Sequence, residues 1–141
     1  MNDHEWLHQA IDLSRQCPVS TTAYSVGAVI VADGRALATG YSRQEDPLDH
    51  AEEVALRHLG DADVSTATIY TSLEPCGRRA SRPRPCADRV IDAGIRRVVY
   101  AWAEPDTFVI GTGAAVLRAA GVTVVHLAEL AEEARAVNAH L

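Results

Sequence analysis

The sequence predicts an α/β protein, a three-layer αβα sandwich around a mixed five-stranded sheet. Helix-period and strand-period apolar runs alternate along its 141 residues. The first two extended runs are joined by Asp33-Gly34, a two-residue turn that makes an antiparallel hairpin. The later strands are separated by helices, and strand–helix–strand units require parallel pairing with right-handed crossovers. Neither a repeat nor a linker divides the chain, so residues 1–141 are expected to form one domain.

The elements follow in order. Trp6, Leu7, Ala10, Ile11 and Leu13 recur at helical spacing, which predicts a helix over 3–16 that stops at Cys17-Pro18. Residues 25–32 and 35–41 are the two hairpin strands. A polar loop at 42–48 leads to a helix at about 50–59, for which Asp49 is the expected N-cap and Glu52 the capping-box acid. Ala67 to Leu73 reads as a third strand, and the Pro- and Gly-rich stretch 74–85 as a loop. Cys86 to Ala93 is a short helix closed by Gly94. Val98 to Trp102 is a continuous apolar run and reads as a buried fourth strand. A loop at 103–112 precedes a helix at about 113–120, a fifth strand at 122–127 and a last helix at 128–139.

Composition narrows the function. Apolar residues make up 48% and charged residues 23%, against a disordered or disulfide-scaffold chain. Every apolar run is far shorter than the ~20 residues that span a bilayer, so no membrane role is expected. The net charge of −6 argues against a nucleic-acid-binding surface. All 13 basic residues are Arg, which excludes Schiff-base chemistry and a phosphate-loop Lys. Three Cys in a chain that opens on an acidic Met-Asn-Asp-His-Glu predict reduced thiols and a cytoplasmic location. Thiols that stay reduced are candidates for metal ligands.

Three segments carry the chemistry: Asp49-His50-Ala51-Glu52-Glu53 at a helix start, Glu74-Pro75-Cys76 after a strand, and Pro85-Cys86-Ala87-Asp88 at the next helix start. His50, Cys76 and Cys86 supply three ligands for a tetrahedral Zn²⁺ with its fourth position open to water, the arrangement of a catalytic site. A helix N-terminus favours the Cys86 thiolate. Glu52, two residues after His50, can lean over the metal without ligating it, whereas Glu53 reads as a solvated first-turn acid. His-x-Glu followed by Pro-Cys is the signature of zinc nucleobase deaminases, with the Glu as proton shuttle. Here nine residues, rather than two, separate the cysteines.

That long loop, with Pro-Cys at each end, resembles the deaminase domain of riboflavin biosynthesis, a branch of the cytidine deaminase-like superfamily. Val26-Gly27-Ala28-Val29-Ile30-Val31, His50-Ala51-Glu52, Leu73-Glu74-Pro75-Cys76 and Pro85-Cys86-Ala87-Asp88 through Ala93-Gly94-Ile95 carry the resemblance. Thr22 to Gly27, Gly40-Tyr41-Ser42-Arg43 and Glu104 to Val109 look most like the fungal-type branch. The chain departs from the common bacterial form at Thr22-Ala23-Tyr24, where that form has Pro-Asn-Pro, and at Ser42, where it has His. At 141 residues the chain is expected to lack the reductase domain that the bacterial form carries. The resemblance implies a zinc-dependent hydrolytic deaminase of an aminopyrimidine, the phosphorylated ribosylamino or ribitylamino intermediate of riboflavin biosynthesis. It also implies a homodimer.

Glu52 is then the catalytic residue, and Ser42, Arg43, Glu74, Asp106 and Thr107 are candidate substrate contacts. Arg78, Arg79, Arg82 and Arg84, four arginines within seven residues between the cysteines, are candidates for pairing with a substrate phosphate; a solvated loop is the plainer alternative. Two other functions stay open: a deaminase of a free nucleobase or nucleoside, and a catalytically idle zinc-binding partner of a separate reductase.

Overall fold

A computed structural model describes residues 1–79, 82–104 and 113–141. The elements are α1 (Asp3–Ser14), β1 (Gly27–Ala32), β2 (Arg35–Tyr41), α2 (Ala51–Leu59), β3 (Thr68–Leu73), α3 (Cys86–Ala93), β4 (Arg97–Trp102), α4 (Gly113–Ala119), β5 (Thr123–His126), a 3₁₀ turn (Ala128–Leu130) and α5 (Ala131–Ala136). The expected last helix is thus a 3₁₀ turn running into a short α-helix. The sheet order is β2-β1-β3-β4-β5. β1 pairs antiparallel with β2 and β3, whereas β3–β4 and β4–β5 are parallel.

Side-chain alternation along the strands builds the three layers. Ala28, Ile30, Ile69 and Val98 point to one face and pack with Ala51 and Ala55 of α2, Ala87 and Val90 of α3, and Leu117 of α4. Val29, Val31, Tyr70 and Val99 point to the other and pack with Leu7, Ala10 and Ile11 of α1 and Ala134 of α5. Each fully buried Val, Leu or Ile contributes roughly 1.5–3 kcal/mol by leaving water. On the α1 face, Asp3 takes a bidentate pair from Arg97 (3.0 and 2.7 Å) and a bond from the Tyr70 hydroxyl (2.5 Å).

Two glycines let backbone approach backbone where the site is built. A Cβ on Gly40 of β2 would lie 2.6 Å from the Ala51 carbonyl oxygen, so Gly40 seats the first turn of α2 on the sheet. A Cβ on Gly113 would lie 1.6 Å from the Pro75 oxygen. The start of α4 is thereby pressed onto the segment that carries Cys76.

Candidate metal centre

His50 is the N-cap of α2, Cys76 lies three residues beyond β3, and Cys86 is the first residue of α3. The parallel β3-α3-β4 unit brings the end of β3 and the start of α3 to the same end of the sheet, under the first turn of α2. His50 Nδ1 lies 3.6 Å from Cys76 Sγ and 3.4 Å from Cys86 Sγ. The three donor atoms all fall within 4.8 Å of one another, the one such group among the described residues. The Cys86 backbone N–H donates to Cys76 Sγ at 3.2 Å. The Cys86 thiol, the His50 ring and that N–H hold the Cys76 thiol down at about 4. Donation to Cys76, together with burial, pushes Cys86 up. Burial disfavours the His50 imidazolium, but Cys76 and Glu52 outweigh it and raise His50. One imidazole nitrogen on a partly buried His50 and two sulfurs on buried cysteines match the three-ligand set of a catalytic zinc site.

The first turn of α2 differs from the sequence expectation by one residue. The N-cap is His50, not Asp49, and the capping-box acid is Glu53, not Glu52: Glu53 Oε1 accepts from the His50 N–H at 2.8 Å. The cause is Asp49's other partner. Its buried carboxylate takes two bonds from Arg57, at 2.8 and 3.2 Å, and is not free to cap. These bonds, with the nearby Arg82 charge, hold it below the usual carboxylate range.

Glu53 is therefore no solvated acid. Its side chain is 4% exposed and is met by Arg79 at 2.6 Å, Arg82 at 3.4 Å and Arg89 at 3.7 Å. Burial alone would raise its pKa, but the Arg79 bond and the His50 N–H more than offset this and lower it. Glu52 faces the opposite way, into a cavity of about 350 Å³. It is buried and forms no ion pair among the described residues. Burial, aided by the Cys76 charge, raises its carboxyl to about 7.

The cavity also meets Thr22, Ala23, Tyr24, Ser42, Arg43 and Glu74. Ser42 Oγ accepts from the Val26 N–H at 2.9 Å and extends the β1–β2 pairing to the cavity rim. Glu74 Oε1 and Oε2 accept from the N–H groups of Glu104 (3.1 Å) and Ala114 (2.9 Å), binding the ends of β3 and β4 to the start of α4. Arg43, at φ 60°, donates to the carbonyls of Tyr24 (3.0 Å) and Pro18 (2.8 Å), and its buried Nε has no partner among the described residues.

None of the loop arginines lines the cavity. Arg79 joins Glu53 and the Leu48 carbonyl, Arg82 joins Asp46, Asp49 and Glu53, and Arg84 joins Asp92. Arg78 is exposed. Asp106 and Thr107 lie outside the described residues. Sequence reading missed Glu53 as a hub, although an acid three residues after His50 is the capping-box signal. It also missed Thr22, Ala23, Tyr24 and Glu104 as cavity residues.

Comparison with known proteins gives a consistent result. Residues 1–102 match the family described as the cytidine and deoxycytidylate deaminase zinc-binding region. The chain is 35% identical over 129 residues to the diaminohydroxyphosphoribosylamino-pyrimidine deaminase of Schizosaccharomyces pombe, covering 88% of this chain and 32% of that protein. It is 40% identical over 139 residues to the riboflavin biosynthesis protein RibD of Actinobacillus pleuropneumoniae, covering 98% and 36%. Among solved structures, Acinetobacter baumannii RibD superposes with a TM-score of 0.86 at 34% identity, over 97% of this chain and 38% of that one. The chain thus spans about a third of the length of the curated relatives it matches.

Proposed function

Because the chain belongs to the cytidine and deoxycytidylate deaminase zinc-binding family, we propose that it hydrolyses an exocyclic amine from an aminopyrimidine, releasing ammonia. The preferred substrate is the phosphorylated ribosylamino or ribitylamino pyrimidine of riboflavin biosynthesis. The observation that carries this reading is the Glu52 carboxyl, buried on the cavity wall beside the metal donors with no ion pair among the described residues. Zinc is the cofactor of this family's site, and His50, Cys76 and Cys86 are the residues that would hold it. When bound, it supplies a Lewis acid that makes water a nucleophile near pH 7.

Glu52 moves the protons. Its carboxylate takes one from water and passes it to the ring nitrogen beside the amine-bearing carbon. The water oxygen adds to that carbon, giving a tetrahedral centre. Glu52, a carboxylate again, takes the proton of the new hydroxyl and delivers it to the amine, which leaves as ammonia while the ring carbonyl forms. One carboxyl group thus serves as base and acid in turn.

Ser42, Arg43 and Glu74 line the cavity and are the substrate contacts this reading favours. Arg43 is the one arginine among the described lining residues. Arg78, exposed two residues after Cys76, forms no ion pair among the described residues, unlike Arg79, Arg82 and Arg84, and is the loop arginine this reading favours for a phosphate. We read residues 1–141 as one deaminase domain, supported by a single sheet shared by both core layers. No helix among the described residues is long and apolar enough to cross a membrane. The reading further includes a cytoplasmic homodimer that binds no nucleic acid, supported by family resemblance and by the net charge of −6.

The test is ammonia release by zinc-loaded protein offered ribosylamino and ribitylamino pyrimidine phosphates, their dephosphorylated forms, free bases and nucleosides. The phosphorylated aminopyrimidines are expected to be turned over best. Turnover confined to bases or nucleosides would move the protein to salvage chemistry, and none on any substrate would favour a zinc-binding partner. Sedimentation at micromolar concentration checks the dimer.

A further inference from the structure

The wall of the cavity formed by Thr22, Ala23 and Tyr24 belongs to no helix or strand, so something else must hold its shape. From the inside, Arg43 grips the carbonyls of Pro18 and Tyr24. From the outside, the grip comes from a distant part of the chain. Asn138, just beyond α5 and 5% exposed, accepts from the Ser25 N–H at 2.6 Å and donates to the Ser25 carbonyl at 3.0 Å. This paired bond satisfies both backbone groups of Ser25, as a neighbouring strand would. A second Asn138 N–H bonds the Ala134 carbonyl at 3.3 Å, anchoring the side chain to α5, which is itself seated by Ala134 in the core. Two residues on, His140 Nε2 reaches the Ser20 carbonyl at 2.8 Å. Tyr24 meets Trp102 edge-to-face, with ring centroids 5.2 Å apart, completing the wall.

We propose that Asn138 is a positioning residue for substrate: by fixing Ser25 it holds the 22–24 wall in place, so that residues well beyond the matched region 1–102 help set affinity in the cavity. The inference rests on the deaminase reading for its kinetic consequence but not for its structural one. Asn138 touches neither the metal donors nor Glu52, so its loss should weaken substrate binding without altering proton transfer.

Asn138→Leu keeps the branched heavy-atom skeleton and removes the bonds, and Leu130→Ala serves as a control that loosens the same core face without touching Ser25. In zinc-loaded full-length protein, Asn138→Leu is expected to raise KM about 10–100-fold, the effect of losing two buried hydrogen bonds. The kcat should stay within about three-fold and zinc content should be unchanged. Ser25 amide exchange, read by NMR, should accelerate in Asn138→Leu and not in Leu130→Ala. Wild-type Ser25 protection and KM in Asn138→Leu would overturn the proposal. So would equal changes in the two variants, which would mark Asn138 as a stability residue only. If the wild-type protein turns over no substrate, the deaminase reading fails by itself, and Ser25 exchange decides the role of Asn138 alone.

Discussion

The first turn of α2 has two faces, and they treat adjacent carboxylates in opposite ways. On the cavity face, Glu52 is buried without a cation paired to it and is raised to about 7. On the loop face, Glu53 is equally buried but meets Arg79, Arg82 and Arg89 and is lowered. Burial disfavours charge in both; partners decide the sign. A group that must exchange protons near neutral pH is left unpaired, whereas its neighbour, held as an anion, ties the inter-cysteine loop to the helix that carries His50. Reactivity and rigidity are thus divided between two consecutive residues by a helical rotation of about 100°.

The largest effect should come from removing what both faces serve. Cys86→Ala deletes one of three metal donors, and metal binding of this kind is coupled to folding. Zinc content by elemental analysis should drop to a small fraction of wild type, with activity and melting temperature falling together. Full zinc occupancy in this variant would refute the ligand set.

Glu52→Gln comes next and isolates the cavity face. The amide keeps the shape but cannot take a proton from water, so kcat should fall by at least ~10²–10⁴-fold, the usual worth of general acid–base catalysis. Zinc content and fold, by circular dichroism, should be retained. An undiminished rate would leave Glu52 with no part in the chemistry.

Glu53→Gln isolates the other face. It removes the charge facing a nearly buried Arg79, whose side chain is 2% exposed. Breaking a buried pair typically costs ~3–5 kcal/mol, and because Arg82 and Arg89 are partly solvated the lower end, about 3 kcal/mol, is expected in urea unfolding. Turnover per bound zinc should remain within a few-fold of wild type. A loss of kcat as deep as that of Glu52→Gln would erase the distinction between the faces.

The same contrast explains what could be read from sequence. His50, Cys76 and Cys86 stand out because ligand chemistry demands particular residue types, and their Pro-Cys and His-Ala-Glu settings are local. The layers were legible because strand alternation and helical period are local too. The cap was misassigned by one residue because Asp49 is a good N-cap in isolation; its capture by Arg57 is a tertiary event. Glu53 looked solvated because Arg79, Arg82 and Arg89 reach it from 26–36 residues away. The grip of Asn138 on Ser25 spans 113 residues and leaves no periodic trace. Residue chemistry marks where a reaction can occur, and long-range polar pairing decides which groups are free to perform it.

Asp3 offers the mildest test of the same rule, far from the cavity. Its carboxylate is held at about 2, first by the Arg97 hydrogen bond, with the Tyr70 hydroxyl adding to it, as Glu53 is lowered by its arginines. A folded-state pKa below the unfolded value means that the unfolded chain binds the proton more readily as pH falls. The stabilisation is therefore present above about pH 4 and is lost as pH drops towards 2. A third of the Asp3 side chain is exposed, so solvent screening limits the effect to about 1 kcal/mol. Asp3→Asn should be less stable than wild type by about that amount at pH 6 in urea titrations. The difference should shrink through pH 4 to 2, with zinc content and kcat at neutral pH untouched. A gap that stays constant down to pH 2 would mean that Asp3 contributes through its shape and hydrogen bonds, and that its charge adds nothing to the pairing with Arg97.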